Sequence, residues 1–94
     1  MEKAAEKSII TVVGKDTVGI IAKVCTYLSE HEINVLDISQ TIVQDYFNMM
    51  MIVDMRNSNQ SFFDTSKGLE ELGEKIGVSI KCQKEEIFEN MHRI

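Results

Sequence analysis

Ninety-four residues suit one domain with one modest core, and a chain this short buries only about 60–65% of its unfolded surface, so pairing with a second copy stabilises it noticeably. Fifteen acidic residues against ten basic ones give a formal net charge of −5 with no basic cluster, which argues against a nucleic-acid surface. Residues 1–7 lack the apolar core of a signal peptide, no run approaches the roughly 18 apolar residues of a bilayer span, and Cys25 and Cys82 lie far apart, so the chain reads as cytoplasmic with reduced, packed thiols.

Residues 1–7 read as a flexible N-terminal extension and residues 8–94 as a single domain. Residues 8–13 form a short Ile/Val-rich run, the signature of a strand. A helix follows, with Thr17 as its N-cap, an end near His31, and a buried stripe of Ile21, Val24, Cys25 and Leu28. Residues 34–43 read as a second strand, with Leu36, Ile38 and Ile42 on one face and Asp37, Ser39 and Thr41 on the other. A turn at Gln44 and Asp45 leads into an antiparallel third strand over residues 46–55. That strand is apolar on both faces (Phe47, Met49, Met51, Val53 and Met55 against Met50 and Ile52), which predicts a central position with cover on both sides. Some of that cover is expected from another chain.

Residues 56–61 are polar and read as a loop. A second helix is expected to start at Ser61 or Asp64, to bury Leu69, Leu72, Gly73 and Ile76, and to stop at Gly77. Val78, Ile80 and Cys82 alternate with Ser79, Lys81 and Gln83, a fourth strand with one wet face. Residues 85–94 carry Ile87, Phe88, Met91 and Ile94 at helical spacing, a short amphipathic tail helix. The order is βαββαβ plus a C-terminal helix, an α+β ferredoxin-like sandwich.

That fold hosts many functions, so the site has to decide between them. The first loop runs Val13-Gly14-Lys15-Asp16-Thr17-Val18-Gly19-Ile20. An apolar strand, a short Gly/Asp loop and a helix start leave unpaired backbone N–H groups at the positive end of the helix dipole, a seat for the carboxylate of a small anionic or zwitterionic ligand. The loop holds no Cys-x-x-Cys pair for a soft metal and no arginine for a phosphate ester; the first strand lacks the aromatic and basic residues of an RNA-binding module, and the third has Tyr46 and Phe47 without basic company.

Residues 10–20 and the stretch Glu32-Ile33-Asn34-Val35-Leu36-Asp37-Ile38 together resemble the ACT domain, a small regulatory module that binds amino acids. Ser39-Gln40-Thr41, Phe47-Asn48-Met49-Met50 and the ending Ile87-Phe88-Glu89-Asn90-Met91-His92 are similar to stand-alone ACT proteins related to the glycine cleavage system transcriptional repressor. The resemblance covers residues 8–94. It implies a ligand held between the first loop of one subunit and the second strand of its neighbour. Carried over by position, Asp16, Thr17, Val18 and Gly19 line the loop side, while Asn34 and Asp37 approach from the partner to hold an amino group or a polar side chain. It also implies a homodimer or higher homo-oligomer, joined with its sheets side by side or back to back. The chain is expected to carry no attached catalytic or DNA-binding domain, so that either it acts by docking to another protein or its binding function has decayed.

Plainer roles compete at each position. Gly14 and Gly19 also serve a tight turn and close helix–sheet packing, Asp16 and Thr17 a helix cap, and Asn34 a turn. Asp37 lies within an apolar strand, where an unpaired carboxylate is costly, so either ligand or protein is expected to pair with it. Met49, Met50 and Met51 point to alternating faces and read as packing rather than a copper site. His31 and His92 show no metal-ligand spacing, Cys25 has no evident base beside it, and Ser, His and Asp show no triad spacing. The chain is therefore expected to be a non-catalytic amino-acid-binding regulatory module with no cofactor and no metal. The competing reading is a protein-interaction module that docks a partner enzyme or regulator without binding a ligand.

Overall fold

The computed structural model describes residues 6–15 and 18–86. The elements are β1 (Lys7–Lys15), α1 (Ile20–Glu30), β2 (Asn34–Val43), β3 (Tyr46–Asp54), α2 (Phe62–Ile76) and β4 (Val78–Lys84), the βαββαβ order expected. The strands form one sheet in the order β2-β3-β1-β4, and every neighbouring pair is antiparallel. The expected tail helix falls largely on residues 87–94, outside the described residues.

Antiparallel partners share a face, so the register sorts the sheet into two sides. Ile10 and Val12 of β1 lie opposite Met51 and Met49 of β3 and opposite Cys82 and Ile80 of β4. All six are buried, and they join Val24 and Leu28 of α1 and Leu69 of α2 in one core. Both helices therefore cover the same side of the sheet, and β3 is central as its two-sided apolar pattern requires.

The second helix is capped as its sequence foretells. The Ser61 hydroxyl accepts from the Asp64 amide at 3.1 Å, and Gly77 ends the helix in the left-handed region at φ 81. Thr65 is fully buried one turn before Leu69, a polar member of the stripe that hydrophobic periodicity passes over; its Oγ1 donates to Gln60 Oε1 at 3.5 Å. The first helix differs from expectation by one residue. Ile20, Val24 and Leu28 form the buried stripe at i, i+4 and i+8, Cys25 flanks it, and Ile21 is exposed. The end of α1 is clasped to the loop between β3 and α2 by Tyr27 Oη donating to Gln60 Oε1 at 3.1 Å and by a 3.1 Å bond between His31 Nδ1 and Asn59 Oδ1.

One buried charge closes the far end of the sheet. Asp54 Oδ1 accepts from the Glu6 and Arg56 amides at 3.1 and 3.0 Å, and Oδ2 meets Arg56 Nε at 2.9 Å. The Arg56 amide above all, then the Glu6 amide and the Arg56 and Lys7 charges, hold this carboxyl below the usual range against the opposing cost of burial. In contrast, burial pushes the free Cys82 thiol up to about 11, out of the nucleophilic range.

Candidate functional site

The turn joining β1 to α1 separates two glycines that look alike in sequence. A Cβ on Gly14 would lie 2.7 Å from Val78 Cγ1 and 3.1 Å from Val78 Cα, so Gly14 lets β1 and β4 approach closely. Gly19 does something else. It is the N-cap of α1 at φ 88 and has no side chain to cap with, and among the described residues nothing lies within 4 Å of where its Cβ would stand. Positive φ suits glycine because L residues strain there. The cap thus falls at Gly19 and not at Thr17, the position expected from residue type. Its carbonyl accepts from the Lys23 amide at 3.0 Å, the first bond of the helix, and the amides ahead of that bond have no intrahelical acceptor. Val18, beside it, is 99% exposed. Asp16 and Thr17 lie outside the described residues.

The other two expected site residues stand elsewhere. Asn34 pairs with Asp54, which pairs with Lys7, and Asp37 pairs with Ile52, which pairs with Ile9. The loop leaves β1 at Lys15. At about 3.4 Å per residue, Asn34 is eight rows, or about 27 Å, from that end of the sheet, and Asp37 six rows, or about 20 Å. Within one chain the structure therefore does not bring Asn34 or Asp37 to Gly19. Asp37 is also exposed, and its Oδ1 accepts from the amide of Ile38 at 2.8 Å. The expected burial penalty is absent because every residue of β2 is exposed, including Val35, Leu36, Ile38, Ile42 and Val43. A register shift between Val35 and Asp37 leaves Leu36 without a cross-strand partner, so Leu36 drops out of the simple alternation with Ile38 and Ile42.

A cavity of about 720 Å³ opens at neither place. It lies at the start of β1 and the end of β4, lined by Ser8, Met55, Ser61, Phe62 and Lys84. The start of α2 on its rim is already capped by the Ser61 hydroxyl, and Lys84 Nζ sits 5.4 Å from the Phe62 ring centre. The start of α1 at Gly19 offers backbone amides instead, where chemistry rather than volume points to a ligand. Among the described residues no group of three or more His, Cys, Asp or Glu is placed to hold a metal ion.

Comparison with known proteins accords with the fold. Residues 6–83 match the family model of the ACT domain. A UPF0237 protein of Bifidobacterium longum is 67% identical over 88 residues, covering 94% of this chain and 98% of its own. The solved structure of an ACT domain protein from Streptococcus pneumoniae superposes with a TM-score of 0.80 at 42% identity, over 92% of this chain and 97% of that one. A further structure, provisionally named a glycine cleavage system transcriptional repressor, shares the fold at 19% identity with a TM-score of 0.73, over 87% of this chain and 47% of that one.

Proposed function

Since the chain belongs to the ACT domain family, whose members are regulatory ligand-binding modules, we propose that it binds a small zwitterionic ligand of the amino-acid class at the turn between β1 and α1. The observation that carries the reading is the start of α1: a left-handed glycine with no side chain of its own to cap the helix and, among the described residues, open surface around it. Backbone amides at a helix N-terminus suit a carboxylate by geometry and by dipole. Asp16 and Thr17 join Val18 and Gly19 in this seat.

The second half of the site comes from another copy. Asn34 and Asp37 lie too far along their own sheet, but a two-fold antiparallel pairing of β2 with itself sets Asn34 of the partner subunit beside Val43, in the row of Tyr46 and Lys15. That is the end where the turn emerges. The long exposed edge of β2 favours such pairing, because its unpaired backbone and apolar side chains gain cover together. The module acts without catalysis and in the cytoplasm, where two free thiols are at home.

The same exposed strand supports one competing reading, a docking module that presents β2 to another protein and holds no ligand. A thermal-shift screen against the proteinogenic amino acids, run beside the Asn34→Ala and Gly19→Val variants, separates the two. A ligand that binds only the native state raises the midpoint by mass action. Ligand binding predicts a rise for one amino acid that is lost in both folded variants. No rise for any amino acid removes the ligand reading and leaves docking through β2.

A further inference from the structure

Asn34 occupies the last row of the β2–β3 ladder, opposite Asp54, and the ladder alone secures it poorly. The extra residue at Leu36 separates Asn34 and Val35 from the continuous pairing of residues 37–43, and the ends of elements fray unless something ties them down. Just ahead of Asn34, α1 ends in a Schellman turn: Ile33 N–H donates to the Leu28 carbonyl at 2.9 Å and Glu32 N–H to the Ser29 carbonyl at 3.1 Å. Glu32 takes the left-handed position at φ 57, where a residue with a Cβ is strained, and Ile33 anchors the turn in the core. Two carbonyls at the helix end are left over, those of Glu30 and His31. Asn59, from the loop between β3 and α2, takes both. Its Nδ2 donates to the Glu30 carbonyl at 3.3 Å and its backbone N–H to the His31 carbonyl at 3.2 Å. With Nδ2 so committed, Oδ1 accepts from His31 Nδ1 at 3.1 Å, which places the imidazole proton on Nδ1.

We infer that Asn59 is the positioning residue for Asn34, an inference that rests on Asn34 completing the ligand seat of a second copy. The α1–β2 turn enters the last row of the ladder through Asn34, and the β3–α2 loop leaves that row through Asp54. Asn59 ties these two segments to each other beyond the row, with three hydrogen bonds on one residue, and so closes the open end of the ladder. Neither segment can swing outward without breaking them. Asp54, the neighbour of Asn34 across the row, is held in turn by the Arg56 and Glu6 amides. Asn34 therefore has a fixed neighbour and a fixed approach. A residue that lends hydrogen bonds across a subunit boundary needs this, because orientation set beforehand does not have to be won on binding. Asn59 itself is exposed, so removing its side chain opens no cavity in the core.

The test is a double-mutant cycle on the full-length protein, with Asn34→Ala and Asn59→Ala made singly and together. Each protein is titrated calorimetrically with the proteinogenic amino acids, and the backbone order parameter of Asn34 is measured by NMR relaxation before any is added. In Asn59→Ala that order parameter should fall from about 0.85 to below about 0.6, while those of Met49 and Met51 stay in place. Binding should weaken about 3- to 30-fold in Asn59→Ala, and no further when Asn59→Ala is added to Asn34→Ala, because Asn59 acts only through Asn34. Asn59→Asp keeps the shape of the side chain and the acceptor for His31 but not the donor to Glu30, and it should weaken binding in the same direction. An additive loss in the double variant, or an unmoved order parameter at Asn34, overturns the inference. Binding kept within about twofold in Asn59→Ala overturns it and leaves the ligand reading standing. No binding of any amino acid by the wild type overturns both.

Discussion

The two edges of the sheet carry the same apolar alternation and meet opposite fates. On β4, Val78, Ile80 and Cys82 are buried against α2; on β2, Val35, Ile38 and Ile42 face the same way and remain exposed. Alternation reports which face of a strand wants an apolar neighbour. It does not report whether the chain itself provides one. Where it does not, the uncovered strand marks the surface on which a second copy or another protein is to be expected.

The most forceful way to break this contrast is to truncate one isoleucine on each edge. Ile80→Ala should cost about 2–5 kcal/mol of unfolding free energy, as loss of a packed core side chain does. Ile38→Ala should cost under about 0.5 kcal/mol in dilute protein, as exposed positions do. Urea denaturation of both reads the difference, and equal costs would mean that β2 is already covered in solution. Next in size is Gly73→Ala on the covered side. Its Cβ would lie 2.6 Å from the Val78 carbonyl oxygen, a backbone atom that cannot swing aside, and about 1–3 kcal/mol should be lost in the same measurement.

A third variant probes the open side. Gly19→Ala meets no atom of the described residues, so the left-handed backbone is what opposes it, and about 1–2 kcal/mol of stability should go. A larger loss would show the turn to be packed rather than open. The smallest effect concerns Asp54, at the row shared by β1, β3 and Asn34. Its carboxyl is held below the usual range in the folded state, so its contribution is fully present above the unfolded value near about 3.9 and is lost as pH falls through the lower folded one. Asp54→Asn should flatten the acid limb of the urea midpoint against pH. An unchanged limb would assign acid sensitivity to other carboxylates.

Much of this architecture was legible because its causes are local. Ser61 and Gly77 bracket α2 by their own hydrogen-bonding and backbone preferences, and the two-sided apolar run from Phe47 to Val53 can lie only inside a sheet. The start of α1 was harder. Residue type favours Thr17 as a cap, yet the helix begins after Gly19, and moving that start moved the buried stripe from Ile21 to Ile20. The shift at Leu36 was invisible for a similar reason: an extra residue in one strand is defined by its partner, which lies in β3. The link from Asp54 to Glu6 also escaped, since it joins the end of β3 to the residue before β1.

The candidate site divides along the same line. A glycine-bearing turn between an apolar strand and an amphipathic helix is written in consecutive residues, and so is the family to which the chain belongs. The sequence by itself therefore determined the order of the elements and the depth of β3. Only the tertiary structure decided that Asn34 and Asp37 lie at the far end of the sheet from that start and that β2 has no cover of its own. The physical reason is pairing. Antiparallel register is set between distant strands, and each step along it carries a residue about 3.4 Å toward one end of the sheet or the other.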